Sequence, residues 1–203
     1  MYIRDAVPGD AEAITAIYNH AVEHTTAIWN DTLVDAENRR AWMVQRYAAG
    51  FPVLVAVEPR TGAGADATGN TKTTGEQQVL GYATYGSYRP HDGYRHTVEH
   101  SVYIRHDQRG RGLGTDLMIA LIDRARRSDI HVIVAGIDAA NTGSIRLHER
   151  LGFRRAGVLT EVGTKFGAWL DLAFLQLVLD PPTTSDLLPD GQRGIAPTTR
   201  ASE

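Results

Sequence analysis

The sequence Gln108-Arg109-Gly110-Arg111-Gly112-Leu113-Gly114 lies between a strand pattern, Val98–Ile104, and an amphipathic helix pattern. The apolar residues of that helix recur at helical spacing, and they are Leu113, Leu117, Met118, Leu121, Ile122 and Ala125. A glycine-rich turn that opens a helix directs backbone N–H groups and the positive end of the helix dipole at one place. The glycines let the main chain approach a ligand, and the two arginines add positive charge. The stretch therefore predicts an anion site between a strand and a helix, and it differs from a Walker loop because no Lys-Ser/Thr pair follows.

A second motif follows further along the chain. Asn141 precedes a helix pattern that closes on Leu151-Gly152-Phe153. The glycine loop alone leaves an anion site and a tight turn with solvated arginines about equally open. Together, however, the two motifs resemble the acetyl-coenzyme A signature of the GCN5-related N-acetyltransferases (GNAT), which is Arg/Gln-x-x-Gly-x-Gly, then an asparagine and a helix that ends on Leu-Gly-Phe.

The resemblance implies acetyl-coenzyme A as co-substrate and indicates where it lies. Its pyrophosphate is expected on the glycine loop and its pantetheine arm along the strand, bonded to the backbone as an added strand would be. At about 3.3 Å per residue, the strand from Glu99 to Arg105 spans roughly 20 Å, comparable to the arm. The expected coenzyme-binding residues are Val102, Tyr103, Ile104, Arg109, Gly110, Arg111, Gly112, Leu113, Gly114, Asn141 and Ser144.

Composition narrows the class of protein. The chain has 203 residues, 42% of them hydrophobic and 22% charged, as in one globular domain. A formal net charge of -3 without a basic stripe argues against nucleic acid as a partner. The absence of cysteine excludes disulfides and thiolate metal sites, and the histidines lack a spacing such as His-Glu-x-x-His, so no metal is expected. No membrane span or signal peptide is visible, so we expect a cytoplasmic protein.

The predicted elements follow the order β-α-α-β-β-β-α-β-α-β-β. This order predicts a mixed central β-sheet flanked by helices, in the α/β (α+β) class, and it is also the order of the GNAT acyl-CoA N-acyltransferase fold. Residues 1–180 are expected to form a single GNAT domain. Residues 59–78, rich in Gly, Ala and Thr, are expected to be a flexible hairpin insertion, and residues 181–203 a disordered tail.

Further motifs resemble the phosphinothricin acetyltransferase group, whose members acetylate the α-amino group of glutamate-like toxins. The matching sequences include Tyr94–Glu99, Arg146–Glu149 and Lys165-Phe166-Gly167-Ala168-Trp169-Leu170-Asp171. Members tuned to phosphinothricin carry Lys-His-Gly-x-Trp-His-Asp near the C-terminus, and a Lys-x-Arg pair upstream of the catalytic glutamate. Here Phe166 and Arg89-Pro90-His91 depart from both motifs. The departures resemble the branch that acetylates methionine sulfoximine and methionine sulfone, and phosphinothricin remains the alternative substrate.

Glu99 and His148 are the predicted catalytic residues. An α-amino group has a pKa near ~8, so its ammonium form needs a base before it attacks a thioester. Glu99 matches the catalytic glutamate of the group and lies in an otherwise apolar strand, where desolvation raises the pKa of a carboxyl group; without the resemblance, a solvated sheet face would be the better interpretation. His148 stands where many GNAT enzymes have a tyrosine acid. Its role as a general acid, an assisting base, a hydrogen-bond anchor or a structural histidine is left open.

The substrate side is predicted from charge and shape. Arg89 and Arg95 are candidates to bind a substrate carboxylate, because a guanidinium matches it in bidentate fashion. Arg89 is the first candidate, since the resemblance places it where the group has its upstream lysine; the alternative for either arginine is an ordinary surface charge. Trp29, Tyr94 and Phe166 are expected to form the wall around the substrate side chain, and a phenyl ring in place of histidine suits a neutral sulfone. Trp42 and Trp169 are expected in the core.

Two other functions are compatible with the sequence. The domain can bind acyl-coenzyme A as a sensor without turnover, or it can acetylate protein N-termini or lysines. The presence of Glu99, His148 and Asn141 together argues against the first. The phosphinothricin acetyltransferase group is typically homodimeric, so the resemblance also implies a homodimer with a small-molecule substrate.

Overall fold

The computed structural model describes residues 1–65 and 71–179, and for residues 60–65 and 71–76 only the backbone. Its helices are α1 (Ala11–His24), α2 (Ala36–Ala48), α3 (Leu113–Arg126) and α4 (Thr142–Arg150). Its strands are β1 (Tyr2–Asp5), β2 (Val53–Ala65), β3 (Thr71–Ser87), β4 (Thr97–Ile104), β5 (Val132–Asp138), β6 (Arg154–Lys165) and β7 (Ala168–Val178). The predicted order of helices and strands is confirmed. None of the described helices is long and apolar enough to cross a membrane.

The seven strands form one sheet in the order β1-β2-β3-β4-β5-β7-β6. Neighbouring strands are antiparallel except β4 and β5, which are parallel and joined through α3. The β4–β5 pairing ends at Glu99 and Val134, although both strands continue. Beyond that pair the two strands separate, and the sheet opens between them.

Successive side chains along a strand face opposite sides of the sheet, and each side carries an apolar layer. On β2, Leu54 and Ala56 pack in the cluster that contains α3, whereas Val53, Val55 and Val57 pack with α1 and α2. Because both faces are covered by helices, β2 at Val53–Val57 and β5 at Val132–Ala135 are continuously apolar, as buried strands are.

The two strands that flank the predicted hairpin insertion are longer than the apolar pattern indicates. The strands β2 and β3 continue into the insertion, with Pro59 opposite Gln77 and Ala65 opposite Thr71. Such a ladder is satisfied by backbone hydrogen bonds and does not require apolar side chains, so the polar composition did not reveal it. The tip of the insertion, 66–70, and the predicted tail, 181–203, lie outside the described residues.

The two tryptophans expected in the core differ. Trp42 packs edge-on against Tyr82, but the core assignment of Trp169 was wrong, since this residue is 68% exposed.

Candidate active site

The turn between β4 and α3 leaves the start of the helix open. Gly110 and Gly112 adopt left-handed φ angles of 79° and 83°, which glycine tolerates and a residue with a Cβ disfavours. Gly112 is the N-cap of α3, and no side-chain hydrogen bond from the described chain caps this end. Free N–H groups at the positive end of a helix dipole form an anion site. The local structure therefore has the features that the glycine motif predicts.

A groove of about 700 Å³ runs from this turn along β4 and α4, and we call it the β4–α3 groove. Ten of the predicted coenzyme-binding residues line it: Val102, Tyr103, Ile104, Arg109, Gly110, Gly112, Leu113, Gly114, Asn141 and Ser144. Arg111 does not, because its guanidinium is paired with Glu58 at 3.2 Å. Arg150, which sequence reasoning missed, lines the groove from the end of α4 and gives it a further cation.

A second cavity, of about 350 Å³, opens where β4 and β5 separate, and we call it the Glu99 cavity. Six residues line both spaces, which therefore meet; they are Thr26, Ala27, Val102, Tyr103, Asn141 and Ser144. Asn141 belongs to this shared wall because it is the N-cap of α4, where its Oδ1 accepts a hydrogen bond from the Ser144 N–H at 3.0 Å. A ligand in the groove can thus reach the cavity.

Glu99 is the last residue of β4 that pairs with β5, and the sheet opens between these two strands beyond it. Its Oε1 lies 3.0 Å from the position that a Cβ on Gly136 of β5 would take, so the bare backbone there makes room for the carboxylate. Burial raises the pKa of Glu99, and the nearby positive charge of Arg89 opposes part of the rise. A carboxyl group with a raised pKa, directed into a cavity, is suited to accept a proton near neutral pH.

His148 lines the Glu99 cavity from α4 but is itself almost fully buried. Its Nδ1 lies 2.7 Å from the Ser144 carbonyl oxygen, and its Nε2 lies 3.0 Å from Nε2 of His100. A carbonyl oxygen only accepts, so Nδ1 of His148 carries the hydrogen, and Nε2 of neutral His148 must accept from His100. Burial lowers the pKa of both rings, that of His100 to about 3, so both are neutral near pH 7.

The segment between α1 and α2, residues 25–35, covers one side of the Glu99 cavity. Thr26 Oγ1 donates to the carboxylate of Asp138 at the end of β5. Buried Lys165 donates from Nζ to the carbonyl oxygens of Ile28 and Asn30, at 2.8 and 2.6 Å. Between these two attachments, the Trp29 ring occupies the space above Gly163 of β6, where a Cβ would clash with it. Trp29 is thereby held in the cavity wall.

The other predicted substrate residues are not among the described residues that line the Glu99 cavity or the β4–α3 groove. Arg89 is exposed and stacks over Tyr88, with 5.0 Å between its Cζ and the ring centroid, and Tyr94 packs edge-on against the same ring. Arg95 donates to the Asp92 carbonyl oxygen at 3.2 Å. Phe166 lies on the β6–β7 turn at a φ of 53° and is 62% exposed. The structure thus does not gather these four side chains around Glu99.

Three titratable residues of the Glu99 cavity were missed by sequence reasoning: Arg46, His100 and Asp138. Strand alternation places His100 on the opposite face from Glu99, and only the separation of β4 and β5 exposes both to one cavity. Arg46 is part of the polar pattern of α2, which looks like a solvated face. Asp138 did carry a signal, because an acidic residue at the end of a buried strand is costly unless it is bonded.

No group of three or more His, Asp or Glu side chains suited to a metal ion occurs in the described ranges.

Comparison with known proteins connects this geometry with a family. Residues 14–153 match the acetyltransferase (GNAT) family. The L-methionine sulfoximine/L-methionine sulfone acetyltransferase of Pseudomonas aeruginosa is 54% identical over 179 residues, which are 88% of this chain and 95% of that protein. The phosphinothricin N-acetyltransferase of Alcaligenes faecalis is 38% identical over 177 residues, 87% of this chain and 81% of that protein.

A solved structure gives the same result for the fold. The structure of yncA from Salmonella typhimurium with its cofactor acetyl-CoA has a TM-score of 0.78 and 48% identity, and the match covers 94% of this chain and 98% of that one. The family resemblance and the fold predicted from the sequence are both confirmed. The chain belongs to the GNAT family of acetyltransferases.

Proposed function

We propose that this protein transfers the acetyl group of acetyl-coenzyme A to the α-amino group of methionine sulfoximine and methionine sulfone, with Glu99 as the base. The observation that carries the proposal is the position of Glu99, whose cavity joins a groove that contains an anion site. The 54% identical relative from Pseudomonas aeruginosa supports the substrate class. Phosphinothricin is the alternative acceptor, supported by a relative at 38% identity.

The β4–α3 groove fits acetyl-coenzyme A in charge and shape. The turn at Gly110–Gly114 offers N–H groups to a pyrophosphate, and Arg109 and Arg150 add positive charge. Because the β4–β5 pairing ends at Glu99, the rest of that β4 edge, through Val102 and Ile104, offers backbone groups to the amides of a pantetheine arm. When bound, the coenzyme supplies an acetyl thioester as the electrophile.

Glu99 prepares the acceptor. The substrate arrives mostly as an ammonium ion, which has no lone pair for attack. The raised pKa of Glu99 brings the carboxylate closer to the pKa of that ammonium, which lowers the cost of taking its proton. The proton passes from the substrate nitrogen to a carboxylate oxygen of Glu99, and the free amine then attacks the acetyl carbonyl carbon. The carbon–nitrogen bond forms, the carbon–sulfur bond breaks, and the coenzyme leaves as a thiolate, which takes up the proton that the new amide nitrogen loses.

His148 acts as a hydrogen-bond anchor in this proposal. Its one transferable hydrogen is directed at the Ser144 carbonyl oxygen, and its lone pair is engaged by His100. Neither ring nitrogen is free to exchange a proton with the cavity. The alternative roles as general acid or assisting base require the pair to rearrange first, because the lowered pKa of His148 disfavours its imidazolium form.

The proposed acceptor-binding residues differ in how directly they act on the acceptor. Trp29 contacts the acceptor directly, because it forms part of the cavity wall. Phe166 influences the acceptor through its neighbour Lys165, which holds the segment that carries Trp29. Arg89, positioned by Tyr88 and Tyr94, attracts an anionic substrate from the mouth of the site. Arg95, bonded to Asp92, stabilises that same loop.

We also propose that the protein is a homodimer in the cytoplasm. The support for the dimer is an apolar surface on the edge of the sheet, formed by β6 and β7. Its exposed members are Val158, Leu159, Val162, Phe166, Trp169 and Val178. Val158 and Leu159 are neighbours on opposite faces of β6, and an edge strand that exposes apolar groups on both faces suits burial against a second copy. The cytoplasmic location is inferred from the proposed use of acetyl-coenzyme A and from the relatives compared above, which are bacterial proteins.

The experiment that tests the proposal measures thiol release from acetyl-coenzyme A with a panel of free amino acids and of peptides. We expect release with free α-amino acids and none with peptides. Release only with peptides would assign the site to protein acetylation. Tight coenzyme binding without thiol release from any acceptor would make the protein an acyl-coenzyme A binding module and would contradict the proposal.

A further inference from the structure

Arg46 places a guanidinium in the wall of the Glu99 cavity. The residue lies in the last turn of α2, and its Nη1 donates to the Tyr85 carbonyl oxygen at 3.2 Å. The guanidinium lies over the backbone of Gly86, and any Cβ at that position would overlap it. Gly86 therefore provides the space through which Arg46 reaches the cavity.

The charge of Arg46 has no acidic partner in the part of the chain whose side chains are described. None of the ion pairs found among those residues includes Arg46. Burial lowers the pKa of Arg46, and the like charge of Arg39 lowers it further. The ring of Trp42, 5.7 Å from its Cζ, provides only a weak contact. A half-buried cation without a counter-ion is costly, so its retention in a cavity wall indicates an anionic ligand.

The sheet places Arg46 and Glu99 on the same face and on opposite sides of one space. Gly86 is directly opposite Glu99 in the β3–β4 register, so a side chain at either position projects from the same face. The Glu99 carboxylate leans away from β3 toward Gly136 on β5. The two charges are therefore separated by about two strand spacings, roughly 10 Å.

That separation matches a free α-amino acid held at both ends. Its ammonium and carboxylate groups are attached to one carbon atom, and a hydrogen bond of about 2.8 Å at each end extends the reach of the pair. The ammonium group then faces Glu99, which accepts its proton, and the carboxylate faces the remaining N–H donors of Arg46. The charge of Arg89 also acts on Glu99, but Arg89 is exposed and does not line the cavity, whereas Arg46 does.

We propose that Arg46 binds the α-carboxylate of the acceptor and thereby restricts the enzyme to free α-amino acids. This inference rests on the proposed function and adds a specificity-determining residue to it. A guanidinium held by Tyr85 and Gly86 presents a fixed fork of donors to one carboxylate. An amide, an ester or a peptide bond in place of the carboxylate leaves Arg46 without its counter-ion, so such acceptors bind poorly.

The test compares methionine sulfone with its α-carboxamide in steady-state turnover. In the wild-type enzyme we expect kcat/KM to be higher for the acid by on the order of 10- to 100-fold, as for a hydrogen bond to a charged group. Arg46→Gln should raise the KM for the acid and reduce this preference to about unity, with the KM for acetyl-coenzyme A unchanged. Arg40→Gln, on the same helix but paired with Glu12 and Glu37, is the matched control and should keep the preference.

Two further variants keep a positive charge at position 46, so they test the assignment even if Arg46→Gln does not fold. Gly86→Ala keeps the arginine but displaces its guanidinium, and Arg46→Lys keeps the charge but loses the fork; both should weaken the preference for the acid. A preference that persists in folded Arg46→Gln or in these two variants would overturn the assignment of Arg46 and leave the proposed function intact. Failure of the wild-type enzyme to turn over any free amino acid would instead overturn the proposed function itself.

Discussion

At the scale of single residues, the chemistry depends on one carboxylate. Glu99→Gln removes the base and preserves the shape of the cavity, so turnover should fall by about 100-fold or more with little change in the affinity for acetyl-coenzyme A. Steady-state kinetics together with calorimetric titration of the coenzyme measure both quantities. Glu149→Gln, an exposed glutamate on α4, is the matched control. Unchanged turnover in Glu99→Gln would remove Glu99 from the mechanism.

The same residue determines the expected pH dependence. Burial raises the pKa of Glu99, so the carboxylate form is lost at a higher pH than for an exposed glutamate. Activity should therefore fall on acidification before the ordinary pKa of 4.5 is reached, and the residual activity of Glu99→Gln should lack this limb. A pH–rate profile of kcat/KM for the two proteins is the measurement. An identical acid limb in both would assign it to another group.

His100 makes a separate prediction about stability. Its pKa is about 3 in the folded protein and 6.5 when unperturbed, so the unfolded chain binds the proton more readily between these values. The free energy of unfolding should therefore be largest above pH 6.5 and decrease as the pH falls toward 3. Urea unfolding at several pH values should give a shallower slope in this window for His100→Leu than for the wild type. Equal slopes would show that His100 titrates normally.

The site residues show what a sequence can reveal. Glu99, His148 and Asn141 stand in or beside motifs whose order along the chain is diagnostic, so they were predicted. Arg46 and His100 were not, because their place in the cavity depends on the approach of α2 to β3 and on the separation of β4 from β5. Both are tertiary events without a local pattern, and no spacing along the chain encodes them.

At the scale of elements, the segment 25–35 depends on Lys165. Lys165→Met removes two charged hydrogen bonds to Ile28 and Asn30 and releases the segment that carries Trp29. We expect the KM for the amino acid to rise several-fold and the free energy of unfolding to fall by about 1–3 kcal/mol, whereas the KM for acetyl-coenzyme A stays the same. Kinetics and urea unfolding test this. Lys165→Met kinetics equal to wild type would mean that the segment is held without Lys165.

The lengths of the strands were the least predictable property of the elements. Residues 59–65 and 71–78 lack the apolar alternation that identifies a strand with a buried face, yet their backbones continue the β2–β3 ladder, with register shifts beyond Pro59. The opposite error concerned Trp169, whose large apolar side chain suggested burial but is exposed at the edge of the sheet. Both differences have the same cause. Local composition does not show which strand a backbone pairs with or whether a side chain faces the core or the solvent.

At the scale of the whole molecule, the apolar surface of β6 and β7 predicts self-association. We expect sedimentation velocity to show a dimer for the wild-type protein. Val158→Glu places a charge on this surface and should shift the equilibrium toward the monomer; because Val158 is 50% exposed, the fold should persist. A wild-type monomer at micromolar concentration would contradict the proposed dimer. A Val158→Glu dimer as stable as the wild type would place the interface elsewhere.

The order of all eleven helices and strands was predictable from periodicity, because a sheet covered on both faces requires long apolar patterns that the sequence shows openly. The identity of the acceptor is less visible, since it depends on a few cavity side chains. Phe166 replaces the histidine of phosphinothricin-specific motifs, and it lies on a turn rather than in the cavity. The preference between acceptors therefore has to be measured directly.

The most direct test is steady-state turnover of acetyl-coenzyme A with methionine sulfoximine, methionine sulfone and phosphinothricin side by side, with the acetylated products identified by mass spectrometry. The proposed function predicts acetylation of the α-amino group and a higher kcat/KM for the two methionine derivatives than for phosphinothricin. A higher kcat/KM for phosphinothricin, or no acetylated product with any of the three, would contradict it.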